Sequence, residues 1–268
     1  MKNLGINFEN VLSIKEELNI TTLEALKKIK DLGFSSLDVK YERLVENNLN
    51  IKDILSAGFT ISSIFSFCPF FENDNIQKAL KMVDFAFENK IKEIMFLSDF
   101  KKGGYTLEDA KNVKKNLRRV VNYASGFNVI INIENVGNIE FPFNDVKTTL
   151  DYLESVKGLG LVFDDGNFIL NDVNPLEAIK VLSPYVRRYH LKNRVLKNSE
   201  VDFVETTSSG VKSFVASLGE YNATASEVYN VIKKHFSNVP LVIEFPALEK
   251  KLYEKVKKSA MYAHTEIM

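Results

Sequence analysis

Four short apolar runs in the second half of the chain each end in a side chain that can bind a divalent metal ion. The runs span residues 129–134, 160–164, 186–190 and 239–244, and they end in Glu134, Asp164, His190 and Glu244. Short hydrophobic runs rich in β-branched and aromatic residues are typical of strands buried on both faces of a parallel sheet. The sequence therefore predicts four buried strands, each with a potential metal ligand at its C-terminal end.

The spacing of these side chains indicates successive strands of one barrel. The successive intervals from Glu134 to Asp164, from Asp164 to His190 and from His190 to Glu244 are 30, 26 and 54 residues. A strand–helix–strand unit takes about 30 residues or more. A (β/α)8 barrel places its functional residues at the C-terminal ends of its strands. Three carboxylates and one imidazole brought to one rim predict a single divalent-metal site formed by these four residues.

The first half of the chain supplies four more strand patterns, which alternate with helical patterns. The strand-like segments lie at residues 4–8, 36–40, 60–65 and 93–97, and Thr21 to Glu24 form a capping box that opens a helix. No G-x-G-x-x-G sequence follows the first strand, as an open dinucleotide-binding sheet would require. Eight uninterrupted alternations predict an α/β, single-domain (β/α)8 barrel over residues 1–268.

Composition narrows the possible partners and the compartment. The chain has 268 residues with 35 basic and 35 acidic side chains, so no overall charge attracts nucleic acid. No apolar run approaches the roughly 20 residues that cross a bilayer. A lone cysteine, Cys68, and the absence of a signal-peptide core at the N-terminus lead us to expect a cytoplasmic protein. The expected partner is a small molecule, and neither nucleic acid nor a membrane.

Five segments spread over nearly the whole chain carry a family resemblance. They are Gly33-Phe-Ser-Ser-Leu-Asp38, Asn132-Ile-Glu-Asn135, Phe163-Asp-Asp-Gly-Asn167, His190-Leu-Lys-Asn193 and Val242-Ile-Glu244. With them the chain resembles the xylose isomerase-like barrels, which include sugar (phosphate) isomerases and epimerases and also apurinic endonucleases. The resemblance implies that the four residues named above hold one divalent metal. It also implies that the two glutamates accept and donate protons.

The chain departs from the family pattern at two positions where many members have a histidine and at one where they often have an aspartate. Many members have a histidine at the end of strand three, where this chain has Ser66 to Cys68, and another three positions after the strand-six aspartate, where it has Asn167. An aspartate often follows the lysine that corresponds to Lys192, and here that position is Asn193. The two remaining histidines, His235 and His264, fall in a helix and in the C-terminal tail. These changes remove ligands that a multi-zinc cluster requires, so we do not expect a trinuclear zinc nuclease.

The predicted donor set defines a reaction class. Oxygen-rich ligation with one nitrogen favours Mn²⁺, Mg²⁺ or Co²⁺, and Zn²⁺ is also compatible. Such an ion can coordinate a carbonyl oxygen and the adjacent hydroxyl of a substrate. It then stabilises the enediolate that forms when the proton between these two groups is removed. Glu134 and Glu244 lie on strands three positions apart and can serve as base and acid across the site. We therefore expect a metal-dependent isomerase or epimerase of a sugar or sugar-like polyhydroxy carbonyl compound.

Three further residues are predicted to bind or orient the substrate. Lys192 and Arg194 follow His190 and can offset the negative ligand shell, and Asn167 can orient the ligands. Alternatives remain open at this stage: a dehydratase of a cyclic polyol-like substrate on the same scaffold, and a non-catalytic sugar-binding protein. The identity of the sugar, its phosphorylation and assembly into a homo-oligomer are also open.

Overall fold

The computed structural model describes residues 4–46, 50–137, 140–196, 204–221, 224–236, 238–246 and 249–268. Eleven strands lie within these ranges: β1 Leu4–Asn7, β2 Ser36–Lys40, β3 Thr60–Cys68, β4 Glu93–Ser98, β5 Ile130–Glu134, β6 Gly160–Asp164, β7 Val186–Leu191, β8 Arg194–Leu196, β9 Glu205–Thr206, β10 Lys212–Val215 and β11 Leu241–Ile243. Eight of them pair in parallel and close into a barrel, in the ring order β1-β11-β7-β6-β5-β4-β3-β2. The predicted (β/α)8 barrel is confirmed.

The α-helices of the described residues surround this barrel. They are α1 Phe8–Leu18, α2 Thr22–Asp31, α3 Tyr41–Val45, α4 Ile51–Ser56, α5 Gln77–Glu88, α6 Leu107–Ser125, α7 Val146–Ser155, α8 Asp165–Leu170, α9 Pro175–Leu182, α10 Ala225–Ile232 and α11 Leu252–Tyr262. In α6, Val113, Leu117, Val120 and Ala124 recur at helical spacing and are buried. Within the described part of the chain, no helix is long and apolar enough to cross a membrane.

The first strand ends one residue earlier than predicted. Phe8 begins α1, because the side chain of Asn7 accepts a hydrogen bond from the backbone N–H of Glu9 at 3.1 Å and caps that helix. The capping box predicted at Thr21 and Glu24 is confirmed and opens α2. The prediction that strand one continues through residue 8 is wrong, since the asparagine cap turns the chain into a helix at that point.

A small antiparallel sheet follows the seventh barrel strand, and the sequence pattern did not indicate it. Its strand order is β8-β10-β9. Val215 pairs with Arg194, and Ser213 pairs with Glu205. These strands are only two to four residues long and carry polar side chains, so their pattern lacks the apolar run by which the barrel strands are recognised.

The interior of the barrel divides into polar and apolar parts. Phe65, Met95, Leu97 and Val162 form an apolar cluster separate from the main core, which lies between the barrel and its helices. Asp38, Arg188 and His190 are buried polar residues of β2 and β7. Branched apolar side chains dominate the interior of most barrels of this kind. Buried charges of this kind are therefore an unusual feature of the barrel interior.

Candidate metal centre

The four predicted ligands converge at the C-terminal rim of the barrel. Glu134 and Asp164 end β5 and β6, His190 is the penultimate residue of β7, and Glu244 directly follows β11. One donor atom from each lies within 4.8 Å of every other. His190 Nδ1 is 2.7 Å from Glu134 Oε1 and 2.8 Å from Glu244 Oε2. The parallel strands bring their ends to one edge, and four side chains distant in sequence meet there.

Three of these donor atoms are buried without a hydrogen bond among the described residues. They are Glu134 Oε1, Asp164 Oδ2 and His190 Nδ1. Each of them has an oppositely charged or chargeable neighbour at 2.7–2.8 Å. Each unsatisfied buried polar group costs about 1–3 kcal/mol, so three at one point need a common explanation. A divalent cation would satisfy them together, and three carboxylates with one imidazole suit such an ion. The residues present therefore fit a metal ion.

Lys192 supplies one positive charge to this cluster. Its Nζ lies 2.7 Å from Asp164 Oδ2, 3.0 Å from Glu244 Oε1 and 3.3 Å from Asn167 Oδ1. Helix α8 approaches closely here, since a Cβ on Gly166 would lie 2.6 Å from the backbone oxygen of Lys192. Three carboxylates against one ammonium leave an excess of negative charge that one divalent cation neutralises.

The two glutamates have pKa values displaced in opposite directions. Burial raises the pKa of Glu134 to about 7, against the opposing charge of His190. Burial alone would also raise the pKa of Glu244, but Lys192 and His190 hold it below its ordinary value. Two carboxyl groups with separated pKa values are the pattern that enzymes use for an acid and a base in one site.

His190 and Asp164 are also perturbed by their surroundings. Burial alone would lower the pKa of His190, but the adjacent carboxylates, Glu134 first among them, raise it well above its ordinary value. Burial raises the pKa of Asp164, against the opposing charge of Lys192. The metal-free cluster therefore retains protons that a cation must displace, because metal ligands bind in their deprotonated forms.

The backbone around Asp164 fixes the direction of its carboxylate. Asp164 caps α8, and its Oδ1 accepts the backbone N–H of Asn167 at 2.8 Å. The side chain of Asn135 accepts the Asp164 N–H at 2.8 Å and donates to its carbonyl oxygen at 2.7 Å. With Oδ1 used by the helix cap, Oδ2 remains for the cluster. A helix directly after β6 was not predicted, although an aspartate before Asp-Gly-Asn is a favourable N-cap.

Of the three residues predicted to contact substrate, two border the centre and one does not. Asn167 meets Lys192 through its Oδ1 and donates from Nδ2 to the backbone oxygen of Asn135 at 3.0 Å. Arg194 instead donates to Gly166 O at 3.0 Å, to Ser213 Oγ at 3.0 Å and to Glu205 Oε2 at 2.5 Å. Arg194 thus ties the small sheet to α8. The structure places its guanidinium in this network and does not bring it to the cluster of Glu134, Asp164, His190 and Glu244.

One residue that contacts the cluster from inside the barrel was not indicated by the sequence pattern. Asp38, at the inner face of β2, places Oδ2 3.2 Å from His190 Nε2. Burial would raise its pKa, but the neighbouring Arg188 guanidinium lowers it below the ordinary value. The signal was present, since Asp38 ends a segment that carries the family resemblance. Its role depends on a contact across the barrel, which spacing along the chain does not reveal.

The opposite side of the barrel mouth is apolar. In the ring order, β3 lies four strands from β7 and β4 lies four strands from β11, so each is directly across the barrel from its counterpart. On these strands Phe65 and Leu97 are each 8% exposed, and Phe67, at the rim, is 37% exposed. The end of the barrel that holds the cluster therefore carries charged side chains on one side and apolar side chains on the other.

Comparisons with solved structures show which fold this is. L-ribulose 3-epimerase is 15% identical, with 100% of this chain and 95% of that chain covered and a TM-score of 0.76. The probable 3-DHS dehydratase AsbF of Bacillus anthracis is 13% identical, with 99% of both chains covered and a TM-score of 0.73. A xylose isomerase-like TIM barrel protein from Mycobacterium smegmatis, in complex with magnesium, is 14% identical, with 90% of this chain and 86% of that chain covered and a TM-score of 0.68.

The chain has the fold of the xylose isomerase-like TIM barrels. This confirms the predicted resemblance at the level of the fold, over almost the full length of each chain. No protein-family model matches the sequence, and no curated protein matches it. At 13–16% identity the likeness extends to the fold alone. The chemistry of the site therefore has to indicate the reaction.

Proposed function

We propose that this protein is a divalent-metal-dependent isomerase or epimerase of a sugar or sugar-like polyhydroxy carbonyl compound. The observation that carries the proposal is the convergence of Glu134, Asp164, His190 and Glu244, three of which have a buried donor atom that makes no hydrogen bond within the described part of the chain. Solved structures of the same fold include an L-ribulose 3-epimerase and a magnesium complex, which supports the class. The substrate would be a small molecule that fits the mouth of the barrel.

The four residues would hold one ion, with Mn²⁺, Mg²⁺ or Co²⁺ favoured by the oxygen donors and Zn²⁺ compatible. When bound, such an ion acts as a Lewis acid that polarises a substrate carbonyl. His190 and Asp164 would serve only as ligands. Asp164 is fixed by its helix cap, and His190 is fully buried in the barrel, so both are rigid supports for an ion.

Glu134 and Glu244 would move the proton. They stand three strands apart in the ring and approach the cluster from different sides. One carboxylate removes the proton from the carbon beside the carbonyl, and the other returns a proton to the opposite face of that carbon or to its neighbour. The first outcome is an epimer and the second an isomer. The raised pKa of Glu134, about 7, suits a group that accepts and returns a proton near neutral pH.

Lys192 and Asn167 would set the electrostatics of the pocket. The ammonium of Lys192 faces Asp164, Glu244 and Asn167 at 2.7–3.3 Å, so its charge is held beside the reacting centre. A fixed positive charge in a buried site stabilises negative charge that develops on a substrate oxygen. The apolar wall formed by Phe65, Phe67 and Leu97 would contact the C–H face of the substrate and exclude water.

Dehydration is the second candidate, and a structural neighbour favours it. The probable dehydratase AsbF covers 99% of this chain and is itself covered to 99%. A dehydratase begins with the same proton removal by a carboxylate, after which a hydroxyl group leaves from the adjacent carbon. The same residues would therefore serve both reactions, and analysis of the product separates them.

The test is solvent hydrogen exchange in deuterated water. The metal-loaded protein is incubated with a panel of ketoses and aldoses, free and phosphorylated, and deuterium on the carbon beside the carbonyl is measured by NMR. Glu134→Gln and Glu244→Gln should each lose about 10²–10⁴-fold in turnover. Glu177→Gln, an exposed residue of α9, is the matched control. If the wild-type protein binds a sugar yet neither exchanges hydrogen nor forms product, the proposal gives way to a sugar-binding role.

A further inference from the structure

A chain of buried charges runs from His190 into the interior of the barrel. Asp38 Oδ2 lies 3.2 Å from His190 Nε2, and Asp38 Oδ1 lies 3.0 Å from Arg188 Nη1. The hydroxyl of Ser62 also donates to Asp38 Oδ1 at 2.8 Å. On its other side, Arg188 Nη2 is 3.1 Å from Glu93 Oε2. Both Asp38 and Arg188 are almost completely buried, at 1% and 0% exposure.

Stability alone does not account for these charges. Replacing a buried ion pair by packed apolar side chains is often neutral or stabilising. Branched apolar residues usually fill this layer of a barrel. Asp38 and Arg188 instead stand directly beside a histidine whose other nitrogen belongs to the candidate metal centre. The placement of the network therefore indicates that it acts on His190.

We propose that Asp38 is a positioning residue that fixes the ring of His190 with a free lone pair on Nδ1. An ionised carboxylate only accepts hydrogen bonds, so the hydrogen of a neutral ring must reside on Nε2, facing Asp38. With an ion bound, Nδ1 would then direct its lone pair at that ion, because Nδ1 is the ring nitrogen that faces Glu134 and Glu244, at 2.7 and 2.8 Å. The inference rests on the proposed metal centre, but it does not depend on which reaction follows.

Arg188 determines which oxygen of Asp38 meets the histidine. A guanidinium has no acceptor, so it requires an oxygen at the position of Asp38 Oδ1. If Asp38 is replaced by Asn, the amide oxygen must therefore face Arg188 and the amide nitrogen must face His190 Nε2. The amide N–H then donates to Nε2, which forces the hydrogen of the neutral ring onto Nδ1. The change of one atom would block the nitrogen that the metal needs.

The experiment compares two variants that remove the same charge from the same network. Asp38→Asn alters the contact with His190, whereas Glu93→Gln alters the far side of Arg188 and a hydrogen bond from Asn132, and neither of these contacts involves His190. Binding of Mn²⁺ to the wild type and to both variants is measured by isothermal titration calorimetry, with thermal unfolding of each metal-free protein as the control for folding. Asp38→Asn should weaken Mn²⁺ binding about 10–100-fold, the usual effect of losing such a partner. Glu93→Gln should stay within about 3-fold of the wild type, because it leaves the ring of His190 unchanged.

Each outcome has a distinct meaning. Equal Mn²⁺ affinity for the wild type and Asp38→Asn contradicts the role of Asp38 and leaves the metal centre intact. An equal loss in both variants also contradicts it, since the network would then act through its charge. A wild-type protein that binds no Mn²⁺ overturns the metal centre itself.

A second measurement covers the case in which Asp38→Asn does not fold. The Zn²⁺-loaded wild type is labelled with ¹⁵N in its three histidines. The His190 ring should then show a protected Nε2–H and no Nδ1–H. A hydrogen on Nδ1 contradicts the inference.

Discussion

Two clusters of buried charge occupy the same barrel, and they differ in how their charges are balanced. In the interior cluster, Arg188 lies between Asp38 and Glu93 and makes a hydrogen-bonded ion pair with each. In the rim cluster, three carboxylates share one ammonium, from Lys192, and three donor atoms lack hydrogen bonds among the described residues. Both clusters are buried, so burial does not distinguish them. The interior cluster thus contains its own counter-charge, whereas the proposed metal site leaves a positive charge to be supplied.

The largest expected effect comes from removing the counter-charge of the interior cluster. Arg188→Met would leave Asp38 and Glu93 buried without their cation, and breaking a buried pair in this way costs about 3–5 kcal/mol. We expect a loss of that size in the free energy of unfolding by urea, with metal absent. Arg187→Met is the matched control, because this neighbouring arginine faces outward and stacks on Phe236 at 4.2 Å. It should cost less than about 1 kcal/mol. Equal losses in the free energy of unfolding would show that the ion pairs of Arg188 contribute no more to stability than the contacts of Arg187.

The next effect comes from supplying the missing charge to the rim cluster. At a metal concentration 100 times the dissociation constant, binding should stabilise the folded protein by about 2.7 kcal/mol. For a chain of this length that corresponds to a rise of about 5–10 °C in Tm. Differential scanning calorimetry with Mn²⁺ and with excess chelator measures it. His190→Ala should abolish the rise, and a rise that persists in this variant would place the ion elsewhere.

The smallest expected effect is a gain in stability from removing one rim carboxylate, and it depends on pH. Burial raises the folded-state pKa of Glu134 to about 7 from its ordinary value, so the metal-free protein loses stability as pH rises through that interval. Glu134→Gln removes this loss. The metal-free variant should therefore be about 1–2 kcal/mol more stable than the wild type at pH 8, with no gain at pH 4. Urea unfolding at the two pH values tests this, and a gain of equal size at both would exclude ionisation as its cause.

The sequence predicted the barrel and the meeting point of the ligands for the same reason. Apolar runs mark buried parallel strands, and parallel strands deliver their C-terminal residues to one rim, which holds Glu134, Asp164, His190 and Glu244. What the sequence could not predict depends on contacts across the barrel. Asp38 meets His190 from a strand 152 positions earlier in the chain.

Arg194 is the reverse case: the sequence indicated it as a site residue, and the structure places its guanidinium elsewhere. Its position two residues after Lys192 indicated the site, but β8 leaves the barrel and takes the guanidinium to Glu205 and Ser213. The strands of that small sheet are too short to leave a periodic pattern in the sequence. Local spacing therefore predicted which residues lie near the rim, and the path of the chain after β7 decided which of them face the centre.

The most direct test of this account is to locate the ion. A crystal of the Mn²⁺-loaded protein, measured with anomalous scattering, should show one strong peak at the rim. That peak should lie within roughly 2.0–2.6 Å of donor atoms of Glu134, Asp164, His190 and Glu244. Metal analysis of the same preparation should give about one equivalent per chain. No peak at this position at saturating Mn²⁺, or a peak from which His190 points away, would contradict the account.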